Sequence, residues 1–183
     1  IVDLQLPSGM IPWYPGGHCD PWNHVETAMA LDVAGFHDEA ARAYLWLQQM
    51  QRSDGAWHNY YMPDSTLEDA KLDTNVCAYI GAGLWHHWLC TGDRPFVERM
   101  WPTLQSALDW VLSLQMPHGP VLWAIEADGS RPWDYALLTG SSSIWHALDS
   151  AIMLGTALGL DVSAWVPALE RLGTSIREEP SPP

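Results

Sequence analysis

Positive charge is scarce in this chain. Its 183 residues hold 8 Lys and Arg against 22 Asp and Glu, a net charge of -14, and so few cations cannot supply the footprint that nucleic-acid phosphates or an anionic membrane require. Nucleic acid and membrane surfaces are therefore poor partners. Charged residues of both signs make up only 16%, against roughly 25% in an average globular chain. Cysteine is sparse and odd in number: Cys19, Cys77 and Cys90 form no CxxC, a pattern that reads as reduced thiols in a cytoplasmic setting and not as a disulfide framework. No apolar run reaches the roughly 18 residues of a membrane-spanning helix, and the opening IVDLQLPSGM has no basic segment leading into an apolar one.

What is present is apolar and aromatic: 48% hydrophobic residues and 12 Trp against 2 Phe. A length of 183 residues is enough for one core, so the expectation is a single domain over residues 1–176 and a tail over 177–183, which contains EEPSPP. The start at Ile1 and not at Met points to a piece of something longer. Apolar periodicity is helical nearly throughout, with no alternation long enough for a convincing sheet. Six helices follow from their punctuation. The first opens at Asp20-Pro21 and ends before Gly35, and the second runs from about Asp38 to Gln51. The third spans about Asp73 to Cys90 with Gly92 just past it. The fourth follows Asp93 and carries Pro102, which implies a kink or a late restart. The fifth spans about Ser142 to Leu158 and the sixth Ser163 to Ile176.

The connections alternate in length. AGFH, TGD and GLDV join helices in pairs, so each pair is an antiparallel hairpin, while long segments rich in Trp, Tyr, Gly, Pro and Asp precede the first, third and fifth helices. Three hairpins thus gather three elaborate loops at one rim. This is the plan of an all-α fold, the α/α toroid, and three hairpins are half of a six-hairpin ring. The outer faces of the first and last hairpins are then uncovered, which predicts either a homo-oligomer or a C-terminal half that completes the ring.

A repeat supports the ring. Tyr44-Leu45-Trp46-Leu47-Gln48-Gln49, five residues, then Gly55-Ala56-Trp57, is echoed by Trp110 to Gln115 followed by Gly119 and Trp123. The first copy resembles the QW motif of squalene and oxidosqualene cyclases, and through it the terpenoid cyclase and prenyltransferase superfamily, including actinobacterial proteins labelled prenyltransferase. Lys71-Leu72-Asp73-Thr74-Asn75 and LWHHWLCTGDRPFVERMWPTLQSALDWVLSLQ resemble the glucoamylase-like six-hairpin glycosidases. Leu122-Trp123 stands where those enzymes carry a Leu-Trp-Glu general-acid segment, although Ala124 follows here and the nearest acid is Glu126. The base of those enzymes lies in a sixth hairpin that this chain does not have. Neither the DxDD acid motif of the cyclases nor the zinc set of protein prenyltransferases is found.

Glycoside hydrolysis needs two carboxyl groups across one bond. The catalytic candidates are Glu126 by position, Asp134 between Trp133 and Tyr135, and Glu26 among apolar neighbours on the first helix. Trp13, Tyr14, Trp22, Tyr60, Tyr61, Trp123, Trp133 and Tyr135 are expected at the rim as substrate-binding rings, with Asp20, Asn23 and Asp73. Asp20 and Asp73 equally suit helix N-caps. A sugar ring, an isoprenoid chain or a developing carbocation would each suit the aromatic set, and a scaffold without catalysis is the third reading. The spacing of His18, Cys19, Asp20 and His24 is unfamiliar for zinc, so no metal or cofactor is expected. No GxSxG, Walker loop or dinucleotide fingerprint occurs.

Overall fold

The computed structural model describes residues 1–130 and 132–178. Among the described residues, seven α-helices carry the fold: α1 (Pro21–Val33), α2 (His37–Met50), α3 (Thr74–Ala78), α4 (Ile80–Thr91), α5 (Arg94–Ser113), α6 (Leu138–Leu158) and α7 (Val166–Arg177). The chemistry of their ends explains most boundaries. Asp20 accepts from the Asn23 amide at 2.9 Å ahead of Pro21, and Asp93 accepts from the Phe96 amide at 3.0 Å. Gly92 and Gly159 close α4 and α6 in the left-handed conformation.

Three boundaries depart from expectation, the sixth helix starting at Val166 and not at Ser163. The third helix is broken at Tyr79 into α3 and α4. The fifth starts at Leu138, so Ser141–Ser143 lie inside its first turns and not at its cap. Pro102 sits within an uninterrupted α5. Four short strands also form, in two antiparallel pairs: β1 (Tyr60–Tyr61) with β2 (Leu67–Asp69), and β3 (Leu72–Asp73) with β4 (Ala124–Ile125). The tail is described only through Glu178, so the expectation for its remainder lies outside the described residues.

α1, α4 and α6 stand side by side as an inner row, and α2, α5 and α7 back them from outside. Close approach in the inner row depends on α4: a Cβ at Gly81 would fall 2.4 Å from the Ala147 carbonyl on α6, and one at Gly83 would fall 2.5 Å from Val25 on α1. At the end away from the rim, buried Asp32 ties three helices together. Its carboxylate accepts from His87 Nδ1 on α4 at 2.9 and 3.0 Å and from His37 Nδ1 on α2 at 3.1 Å.

Each long loop begins with the same hook. The side-chain amide of Gln5 donates to the carbonyls of Gly9 (3.1 Å) and Glu39 (2.9 Å). Gln51 donates to Gly55 (2.9 Å) and Thr103 (2.8 Å), and Gln115 to Gly119 (2.8 Å) and Ala168 (2.9 Å). The three glycines have φ of +96°, +96° and +120°, and a Cβ on each would fall 2.2–2.5 Å from the carbonyl oxygen of Arg42, Ser106 or Arg171. Every loop is therefore latched to the next outer helix through two carbonyls three residues apart. The repeat is Gln-x3-Gly in three copies. Its second Gln is Gln51 and not Gln49, and its first copy, at Gln5, has Ile11 and not Trp two residues after the glycine.

Candidate functional site

The three loops are laced into one rim by backbone pairing. Cys19 and Tyr61 exchange two 2.9 Å hydrogen bonds, joining the first loop to the second. β3 pairs with β4 to join the second to the third, and Thr74 adds bonds from its amide and hydroxyl to the Trp123 carbonyl, both 3.0 Å.

Asp73 sits at this second junction, just ahead of α3, and is 3% exposed. It does not cap the helix through its side chain, and its Oδ1 has no hydrogen-bond partner. Burial raises the carboxyl to about 6, while Lys71 and the first-turn amides of Val76 and Asn75 pull in the other direction. Lys71 Nζ lies 3.8 Å from Asp73 and 5.1 Å above the Trp133 ring. The Trp133 indole in turn donates to exposed Glu126 at 3.4 Å. Asp73, Lys71, Trp133 and Glu126 thus form one connected cluster, with Tyr135 beside Trp133 at 5.9 Å between ring centroids. Asp134 is exposed between those two rings.

A second cluster lies one hairpin away. Trp22 and Glu26 share a face of α1 at i, i+4 spacing, and Tyr79 reaches both from the break between α3 and α4. The Tyr79 and Trp22 rings stack at 3.8 Å and 13°. The Tyr79 hydroxyl donates to Glu26 Oε1, and burial together with that carboxylate pushes the hydroxyl well above its ordinary pKa, so it stays a donor. In the first loop, the Trp13 indole donates to Asp20 Oδ2 at 2.7 Å, and Asn23 Nδ2 donates to the same oxygen at 2.9 Å. Asp20 is therefore committed to the local framework. His18 pairs through Nδ1 with Glu68 and packs against Trp13 and Tyr60.

Most of the expected rings do reach the rim: Trp13 is 50% exposed, Tyr14 57% and Tyr135 45%, with Trp22, Tyr60, Trp123 and Trp133 half-buried. Tyr61 does not. It is 2% exposed, its hydroxyl accepting from the His58 amide at 2.8 Å, because adjacent residues of a strand point to opposite faces and Tyr60 takes the outer one. Tyr79 and Lys71 were not singled out as site residues from sequence, although Lys71 lies two residues before Asp73. His24 is buried and neutral, driven down to about 4 by burial, and is spent on the backbone of Ile11 and Ala43. Among the described residues no group of three or more His, Cys, Asp or Glu could hold a metal ion. A cavity of about 620 Å³ on the flank of α6 and α7, lined by Leu137, Leu138 and Ile176 among others, contains none of these clustered carboxylates. No described helix is long and apolar enough to cross a membrane.

No family model matches the chain. Over 180 residues, 98% of its length, it is 46% identical to an MMP endo-(1,4)-3-O-methyl-α-D-mannosidase of Mycolicibacterium hassiacum, of which it covers 49%. Its structure is similar to that of cellobiose 2-epimerase from Spirochaeta thermophila, with a TM-score of 0.72 and 17% identity over 96% of this chain and 49% of that one. It is also similar to a family 105 glycoside hydrolase of C. acetobutylicum, with a TM-score of 0.71 and 13% identity over 94% of this chain and 53% of that one. The fold is an α/α toroid like that of the six-hairpin glycosidases. The chain spans about half the length of the mannosidase and of both structures.

Proposed function

We propose that the chain forms the glycan-binding wall of a protein that binds or hydrolyses an α-mannose-type polysaccharide, and that its rim contributes carboxyl groups to the chemistry. The observation that carries this reading is the division of the rim carboxyls into two kinds. Asp73 is buried and holds its proton up to about pH 6, whereas Glu126, Glu26 and Asp134 face solvent beside aromatic rings. A buried, proton-holding carboxyl on the same rim as solvent-facing ones is the division of labour that glycoside cleavage uses. In this reading Asp73 is the proton donor, once Lys71 moves aside. Glu126 or Glu26 is the partner carboxyl, and Asp134 with Trp133, Tyr135, Trp123, Tyr60, Trp13 and Tyr14 binds sugar. The 46% identity to an endo-mannosidase supports a glycan over the isoprenoid alternative, as does a rim whose acids far outnumber its cations and so suits no diphosphate.

Titration of the protein with a (1→4)-linked 3-O-methyl-α-mannotetraose and, separately, with a prenyl diphosphate tests the reading. Calorimetric binding of the tetrasaccharide, with release of reducing ends if the wall is catalytically complete, is expected. Binding of the diphosphate with no response to the glycan overturns it. Binding of neither leaves the scaffold reading in its place.

A further inference from the structure

Trp22, Glu26 and Tyr79 make a second cluster away from the Asp73 junction, and nothing in the acid–base reading uses all three. Their geometry is specific. Two residues one turn apart on α1 are bridged by a side chain whose own residue interrupts the neighbouring inner helix. The Tyr79 ring lies nearly parallel to Trp22, at 3.8 Å and 13°, while its hydroxyl donates to only one oxygen of Glu26. Glu26 remains exposed and Trp22 half-buried, so a carboxylate oxygen and an indole stay within reach of a ligand. Long carboxylate side chains on a helix surface ordinarily sample several rotamers. Here the tyrosine fixes one of them, and a group held before the ligand arrives loses less freedom on binding.

An aromatic ring beside a fixed acceptor matches the two faces of a neutral pyranose: axial C–H groups pack on the indole while two neighbouring hydroxyls donate to the Glu26 side chain. We infer that Trp22, Glu26 and Tyr79 form a preorganised subsite for one uncharged sugar ring on the inner wall of α1 and α4, with Tyr79 as the positioning residue that aims Glu26. The inference rests on the glycan reading above and deepens it, because it puts a second sugar contact one hairpin away from the Asp73 junction. An anionic sugar does not suit this position, since the contacting group is an acidic side chain and no cation partners it among the described residues.

The test uses the same (1→4)-linked 3-O-methyl-α-mannotetraose and four variants of the protein. Glu26→Gln and Trp22→Ala are each expected to weaken binding tenfold or more. Tyr79→Phe, which keeps the ring and removes the hydroxyl, is expected to weaken it about fivefold, and Trp22→Phe should recover part of the loss seen in Trp22→Ala. A purely structural role for Tyr79 would lower thermal stability without changing affinity, so melting temperature and affinity are measured together. A readout that needs no variant guards against misfolding: on saturation with the tetrasaccharide, the Trp22 indole N–H signal in the NMR spectrum should move while that of buried Trp57 stays in place. If the wild-type protein binds the glycan but the variants bind it equally well, or the Trp22 signal does not move, the subsite is refuted and the glycan reading stands. If the wild-type protein binds no glycan, both fall.

Discussion

Asp73→Asn should make the protein more stable at neutral pH. The carboxyl has an ordinary value of 3.8 and is raised to about 6 in the fold, chiefly by burial. Between about pH 4 and pH 6 the native state therefore binds more protons at this site than the unfolded chain does, and stability falls as pH rises through that window. A gap of about two pKa units corresponds to about 3 kcal/mol lost by pH 7. The asparagine cannot ionise, so the variant escapes that loss. It gives up the contact with Lys71, which is 3.8 Å away and partly exposed and worth about 0.5 to 1 kcal/mol. The net gain is about 2 kcal/mol at pH 7 to 8, or a rise in Tm of roughly 4 to 8 °C for a domain of this size. Urea unfolding of both proteins at unit steps from pH 4 to pH 8 gives the difference directly. It should be near zero or slightly negative at pH 4 and grow to its full value just above pH 6. A difference that stays flat across this range, or that favours the wild type increasingly as pH rises, refutes the assignment of a buried, proton-holding carboxyl. Stabilisation accompanied by loss of glycan binding or turnover is what a residue kept for chemistry should show.

Four further variants have outcomes set by the packing. Gly55→Ala combines a φ of +96° with a Cβ only 2.2 Å from the Ser106 carbonyl and should cost about 3 kcal/mol by denaturant unfolding. Gly92→Ala, at φ +65° with open space around it, should cost only about 1 kcal/mol; equal losses would show that latching by the hook adds nothing. Gln115→Ala removes the two hydrogen bonds donated to Gly119 and Ala168 and the exposed one accepted from Arg171, and should cost about 1 to 2 kcal/mol, with hydrogen exchange accelerated in the third loop more than in the first. Asp32→Ala strands buried His87 without its partner and should cost about 3 kcal/mol or more, a loss that a melting scan at pH 7 would register as a shift of several degrees.

The sequence makes plain those parts of the fold governed by local chemistry. Asp20-Pro21, Asp93, Gly92 and Gly159 mark helix ends because a cap or a left-handed residue acts within one turn, and all four do so in the structure. What it hides depends on partners far along the chain. Between Leu47 and Arg52 there are three glutamines, and nothing local distinguishes Gln49 from Gln51; only the Thr103 carbonyl, 52 residues away, selects Gln51. Ser141–Ser143 have the composition of a cap, yet α6 begins three residues earlier, where Leu137 holds an extended backbone. Tyr60 and Tyr61 look equivalent until pairing with Cys19 assigns one to each face. Tyr79 shows no site signal because its significance is a hydroxyl directed at Glu26, 53 residues back. The rim acids were legible as a set, whereas their division into buried Asp73 and exposed Glu126 required the β3–β4 pairing that covers Asp73.

That division also has a mechanical cause. A buried ionisable carboxyl opposes folding at neutral pH, and the glycines of long loops lose more entropy on ordering than other residues do, so a rim of this composition would not hold Asp73 and Tyr79 in place on its own. The three Gln-x3-Gly hooks lie at the roots of the three loops, each fastening its loop to the outer helix that follows. Together with the Cys19–Tyr61 and β3–β4 pairings, they remove the freedom the rim would otherwise have before any ligand binds. Weakening a hook should therefore loosen the Asp73 cluster even though no hook residue touches it. The carboxyl of Asp73 would then gain water and titrate lower, towards the ordinary value, in Gln51→Ala than in the wild-type protein. Carbon-13 titration of the aspartates in the two proteins decides the matter: an unchanged Asp73 midpoint would mean that the rim is held by its own strand pairing and the hooks serve the outer ring alone.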